Sequence, residues 1–168
     1  MYKGLKMRWI TTTTFEIVLP NGKVAIFDPW LGKDPGMPKQ FELETTLDDI
    51  TGADYMFVSH AHGDHVAAVQ QINKRFCEGT SGGRIFLPGL SAHAIACKYE
   101  IPFRDVVPVF PGETYDLDDM IVTALRCRHR GDDISPLVSR QKSIDMGKSA
   151  EDIFLGEIGN IDELDWAV

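Results

Sequence analysis

The sequence predicts a layered α/β domain, and three observations carry that expectation. Strand-like and helix-like stretches alternate across residues 54 to 110, the pattern of an α/β layer with some parallel pairing. The run Tyr55-Met56-Phe57-Val58 is continuously apolar, which reads as a buried strand. Directly after it, Val66, Val69, Ile72 and Phe76 recur at helical spacing.

In chain order, residues 6 to 18 read as two strands or one long one, rich in Thr and apolar residues around Thr11-Thr12-Thr13-Thr14, and Thr favours strands. Pro20-Asn21-Gly22 contains the Asn-Gly signal of a type I′ hairpin and leads into a strand over residues 23 to 28, with Val24, Ile26 and Asp28 on one face. Residues 30 to 41 carry Gly32, Pro35, Gly36 and Pro38 and are expected to form a loop near a pocket mouth. A helical turn is expected at residues 47 to 50. A helix after the buried strand runs to about Cys77 and is stopped by Gly79, Gly82 and Gly83. Residues 84 to 87 and 106 to 110 read as strands around a helix at 90 to 99. Pro111-Gly112 makes a turn, and 113 to 117 with 120 to 128 suggest an antiparallel pair. In that last strand Ile121, Thr123, Leu125, Cys127 and His129 share a side, which places His129 at the tip of an apolar face. From Gly131 the pattern loosens, and 130 to 168 stays an unassigned tail.

The chain of 168 residues has 43% hydrophobic residues and a formal charge of −8. The length suits one domain with a proper core. The negative balance disfavours nucleic-acid binding, which needs basic stripes. No apolar run is long enough to cross a bilayer, and the first residues lack the apolar core of a secretory signal; a cytoplasmic location is expected. Cys77, Cys97 and Cys127 are odd in number and widely spaced, so they read as reduced packing residues rather than a disulfide framework.

The chemistry is concentrated between Ser59 and His65. His60, His62, Asp64 and His65 put three imidazoles and a carboxylate into six positions. Each can bind a transition metal, and crowded together without a cation they would repel or need unusual partners. The motif lies on a strand-to-helix turn, where a bend can bring His65 to the same pocket as His60 and His62; a straight strand would send it to the other face. His93 stands alone and reads as an ordinary histidine. Asp28, before Pro29, is equally a turn residue and a candidate support for the site.

His60-Ala-His62-Gly-Asp64-His65 is the HxHxDH signature, and with the preceding strand, the segment Val24 to Leu31 ending in Asp28-Pro29-Trp30-Leu31, and the downstream His129, the chain resembles the metallo-β-lactamase superfamily. Residues 1 to 129 match and 130 to 168 do not, within one domain over 1 to 168 that the resemblance marks as incomplete. It implies an αββα sandwich, mostly its N-terminal half, and a metal-dependent hydrolase. By resemblance His60, His62 and His129 hold one metal, Asp64 and His65 contribute to a second, and Asp28 steadies the ligands from behind. The resemblance implies zinc as the metal, two ions, with manganese or iron as alternatives. Asp64 is the candidate catalytic residue, holding or accepting a proton of the attacking water. The resemblance implies a small-molecule substrate with an ester, lactone or phosphoester bond, and the look is closest to the L-ascorbate-phosphate lactonase and phospholipase-like branch, although Thr11 and Thr12 stand where that branch often has a Gly-His pair. His62, where redox di-iron relatives carry a carboxylate, favours hydrolysis.

The family's second half brings a bridging Asp and a further His. Here no His follows His129, and Gly156-Glu157 is only faintly similar to the Gly-Asp segment that carries the bridging carboxylate. A truncated stretch of a longer protein is expected, its bare inner sheet face covered by a second copy or by the segment that supplies the other half. The rival reading is a module without activity that serves binding or assembly.

Overall fold

The computed structural model describes residues 4–32, 44–77, 84–117, 120–127, 144–159 and 162–168. Six strands form one sheet in sequence order: β1 (Lys6–Thr11), β2 (Thr14–Val18), β3 (Val24–Phe27), β4 (Tyr55–Phe57), β5 (Ile85–Pro88) and β6 (Val106–Val109). The β1, β2 and β3 strands are antiparallel, whereas β3 to β6 run parallel. Parallel neighbours need crossovers. These are supplied by α1 (Gly63–Val66) and α2 (Val69–Phe76) between β4 and β5, and by α3 (Ala92–Lys98) between β5 and β6. Pro108 lies in β6, the sheet's edge, where a residue without an N–H is tolerated.

A second, three-stranded antiparallel sheet is built from β7 (Thr114–Asp116), β8 (Ile121–Arg126) and β9 (Leu164–Ala167). Helix α4 (Ala150–Gly159) precedes β9. The large sheet is therefore covered on both faces. Val24, Ile26, Met56, Val58, Ile85 and Leu87 pack with Val66, Val69, Ile72, Ile95 and Leu155 of the helices. On the other face Ile17, Ala25, Phe57, Phe86 and Val109 meet Val122, Ala124 and Leu164 of the small sheet. Phe27, Phe57 and Phe86 stack side by side at centroid spacings of 4.8 and 4.6 Å, and Trp166 meets Phe57 edge-on at 5.1 Å.

Several expectations change. The turn at Pro20-Asn21-Gly22 is not type I′: within it only Gly22 has positive φ (+90°), with Gly22 N–H donating to Leu19 O and Leu19 N–H to Lys23 O. Proline's ring holds φ near −65°, so Pro20 cannot supply the positive φ that a primed turn requires. The helix after the motif is two pieces, because Ala68 N–H leaves the helical ladder for Pro29 O at 2.9 Å. In β8 the buried residues are Val122 and Ala124, whereas Ile121 and Leu125 are exposed; the side expected to be the core face is the outer one. Val122 and Ala124 face the large sheet with Phe57 and Phe86, and strand alternation then turns Ile121 and Leu125 outward. The inner face of the large sheet, expected to be bare, is covered by this chain's own β7, β8 and β9. Cys77 is buried as expected, but Cys97 is exposed on α3, its Sγ 3.7 Å from His93 Nε2. The loop expected at 30 to 41 falls largely outside the described residues.

Candidate metal centre

Asp28 and the turn from Ser59 to His65 leave the carboxyl ends of β3 and β4. The β4 strand ends at Phe57 and the chain turns through Ser59 to His62 before α1 begins at Gly63, with His62 still extended (φ −71°, ψ 148°). Backbone N–H groups of Asp28 and Val58 continue the ladder to Phe57 O and Phe86 O, so the turn springs from a rigid edge. Asp28 itself has φ +46°, a left-handed conformation that Asp tolerates better than most residues. Thr14 fastens that bend: its Oγ1 donates to Asp28 O at 2.6 Å and accepts Trp30 N–H at 3.1 Å.

The bend aims the Asp28 carboxylate at the histidine turn. Asp28 Oδ1 accepts Ser59 N–H at 2.7 Å, and Oδ2 accepts both Ser59 Oγ–H at 2.9 Å and His65 Nδ1–H at 2.9 Å. Because the single Ser59 hydroxyl proton goes to Asp28, Ser59 Oγ can only accept from His60 Nδ1, 2.9 Å away. On the far side, His62 Nε2–H donates to Gly156 O at 3.0 Å. These partners assign the tautomers. The nitrogens left with lone pairs are His60 Nε2, His62 Nδ1 and His65 Nε2.

Two of those lone pairs face each other, His60 Nε2 and His62 Nδ1 standing 3.0 Å apart. Two neutral imidazole lone pairs at that distance repel unless a positive centre lies between them, either a proton or a metal cation. Two nitrogens on one tetrahedral zinc, each at about 2.0–2.1 Å, stand roughly 3.3 Å apart, so the pair is already spaced as ligands of one ion. The third imidazole, His65, is close by, its ring centroid 3.9 Å from that of His60. Asp64 Oδ2 is 3.8 Å from His65 Nε2, with the Asp64 side chain 47% exposed. Burial works to lower the pKa of His65, but the hydrogen bond to Asp28 and the charges of Asp28, Asp64 and Glu163 outweigh it and raise that pKa. Among the described residues no three His, Cys, Asp or Glu side chains are gathered to hold a metal by themselves; His129 lies outside the described residues.

Sequence reasoning did not assign roles to Ser59, Gly156, Gly159 or Glu163. Ser59 adjoins the motif and links Asp28 to His60. Glu163 Oε1 lies 3.9 Å from His60 Nδ1, and Leu164 N–H donates to Ser59 O at 2.9 Å. The sequence offered only the glycines at 156 and 159; that they lie in a helix, where glycine is disfavoured without a reason of close approach, is known only from the structure.

No protein-family model matches the chain. A UPF0173 metal-dependent hydrolase of Koribacter versatilis is 26% identical over 127 residues, covering 76% of this chain and 48% of that protein; the chain spans about half the length of this relative. Among solved structures, Igni18, a metallo hydrolase from the archaeon Ignicoccus hospitalis, matches with a TM-score of 0.53 at 20% identity, over 78% of this chain and 52% of that one. CmlA, a diiron beta-hydroxylase from Streptomyces venezuelae, matches with a TM-score of 0.50 at 19% identity, over 79% of this chain and 26% of that one. Likeness at these identities speaks for a common fold. The chain thus has, around its HxHxDH turn, a layered α/β fold like that of a metallo hydrolase, of whose length it covers about half.

Proposed function

We propose that the chain forms the metal-holding half of a hydrolase that uses activated water to cleave an ester, lactone or phosphoester bond of a small molecule. The observation that carries this reading is the 3.0 Å separation of His60 Nε2 and His62 Nδ1, two lone pairs whose tautomers are set by partners on the opposite side of each ring. A relative named as a metal-dependent hydrolase supports it.

His60, His62 and His129 would hold one cation, and Asp64 with His65 Nε2 would contribute to a second. Zinc suits imidazole and carboxylate, with manganese or iron as alternatives. When bound, the cation supplies Lewis-acid polarisation of water and of the bond to be broken. The protein's own part is orientation. Asp28 holds His65 by Nδ1, and Ser59 passes the same carboxylate's influence to His60 Nδ1, support that ligating imidazoles require. Asp64 would take the proton of the attacking water, a role that its half-exposed carboxylate supports. An imidazole at position 62 favours hydrolysis over oxygen chemistry. The Asp28-Pro29-Trp30-Leu31 segment supports the lactonase and phospholipase-like branch, and a cytoplasmic setting agrees with the sequence; among the described residues no helix is long and apolar enough to cross a membrane. The bridging carboxylate and last His come from further chain or from a second copy.

Metal content by elemental analysis, together with turnover of a lactone and of a phosphodiester, tests this. Metal-dependent turnover that His62→Ala abolishes with the circular dichroism spectrum intact is expected. Turnover unchanged in that variant refutes the assignment, and metal bound without any turnover supports the binding-module reading instead.

A further inference from the structure

We infer that helix α4 is a positioning element for His62: the carbonyl of Gly156 holds the ring by Nε2–H, and the missing side chain of Gly159 makes room for it. The inference rests on the reading of His62 Nδ1 as a ligand, and it gives part of the C-terminal stretch a role in the site.

Gly156 and Gly159 are three residues apart and so lie on one side of the helix. Gly156 O accepts His62 Nε2–H at 3.0 Å. A methyl group built at Gly159 would stand 2.8 Å from His62 Cδ2 and 3.0 Å from Nε2, closer than side-chain carbons come; at Gly156 a methyl would meet nothing within 4 Å. The ring has little room to swing aside, because the His60 ring stands edge-on beside it at a centroid distance of 4.6 Å. Nor can the helix back away. Leu155 is buried in the helical core layer, and Lys98 pairs with Asp152 near the helix start. Beyond the helix end, Asp162 Oδ2 accepts Ser91 N–H at 2.8 Å and Ser91 Oγ–H at 2.9 Å, and Leu164 N–H is tied to Ser59 O at 2.9 Å. The helix and the histidine turn are thus clamped together on both sides of the contact. Glycine is a poor helix former, so each glycine costs the helix stability; at 159 the structure shows what that cost permits, an imidazole lying against the backbone.

The two positions supply their own control. Gly156→Ala keeps the carbonyl and has space for its methyl, whereas Gly159→Ala does not. Gly156→Ala raises helix propensity in the helix interior and Gly159→Ala only at its last residue, so an effect confined to helix stability gives Gly159→Ala no loss of its own. In the 168-residue chain, titration calorimetry with Zn(II) is expected to show Gly156→Ala within about twofold of the unaltered chain. Gly159→Ala is expected to lose about ten- to a hundredfold, the usual loss when a ligating imidazole loses its support, with a native circular dichroism spectrum. Equal affinity in the two variants overturns the inference. If the unaltered chain binds no Zn(II), the metal reading fails but the positioning is still decided by NMR of the metal-free, unaltered chain. There a nuclear Overhauser contact between the His62 Cδ2 proton and the Gly159 Hα protons is expected, and its absence overturns the inference whether or not Gly159→Ala folds.

Discussion

Replacing Asp28 with Asn separates the carboxylate's charge from its shape. Asn tolerates the left-handed φ of +46° about as well as Asp, so the bend before Pro29 is kept. What changes is the acceptor count. The Asp28 carboxylate takes three protons, from Ser59 N–H, Ser59 Oγ–H and His65 Nδ1–H. An amide has one oxygen and one NH2 in its place, so in either orientation a donor confronts a donor within the buried site. Hydrogen bonds to a charged group contribute about 1.5–3 kcal/mol each, and a buried polar group left unsatisfied costs about 1–3 kcal/mol. Allowing for one bond lost outright and partial relaxation, a destabilisation of about 2–3 kcal/mol is expected. For a chain of this size that lowers Tm by about 4–12 °C. Because His65 loses the acceptor that sets its tautomer, Zn(II) affinity is expected to fall by about ten- to a hundredfold as well. Thermal unfolding followed by circular dichroism and a chelator-competition titration measure the two effects. A variant that melts with the unaltered chain and binds Zn(II) equally well refutes the chain of hydrogen bonds from Asp28 through Ser59 to the imidazoles.

Two further outcomes follow from the core. Phe57, fully buried between Phe27 and Phe86 with Trp166 on its edge, joins the two sheets; Phe57→Ala is expected to cost about 3–5 kcal/mol, read as a shift in the urea midpoint, and a loss under 1 kcal/mol, on the order of a surface change, would count against the sheet-on-sheet packing. Burial raises the Cys77 thiol pKa from 9.0 to about 11, so the native state holds its proton where the unfolded chain has lost it. That stability is fully present below pH 9 and drains away as pH rises towards 11, about 1 kcal/mol of it gone by pH 10. Comparing urea unfolding of the unaltered chain and Cys77→Ala at pH 8 and pH 10 isolates the effect, and identical pH slopes in the two chains would contradict it.

The local grammar was legible in the sequence to the extent that short-range physics governs it. The unbroken apolar run at residues 55 to 58 announced a strand covered on both faces, and the structure buries Tyr55, Met56, Phe57 and Val58. The alternation up to residue 110 announced parallel pairing. The HxHxDH spacing announced that three imidazoles and a carboxylate leave one turn. Each of these depends on residues near one another in the chain. The reading went wrong where one residue overrides a pattern, as Pro20 does in the hairpin, or where alternation alone cannot say which face points inward. In β8 both sides carry apolar residues, and it is the packing against the large sheet that buries Val122 and Ala124 and leaves Ile121 and Leu125 exposed.

By itself, then, the sequence determined the kind of layer and the identity of the clustered donor groups, because periodicity and spacing are properties of the chain. Tertiary structure alone decided which nitrogen of each ring is left with a lone pair. Those choices are made by Asp28, 31 residues before Ser59, and by the carbonyl of Gly156, 94 residues beyond His62. A backbone carbonyl has no side chain to announce it, and a carboxylate in a bend shows its direction only once the strands that flank it are paired.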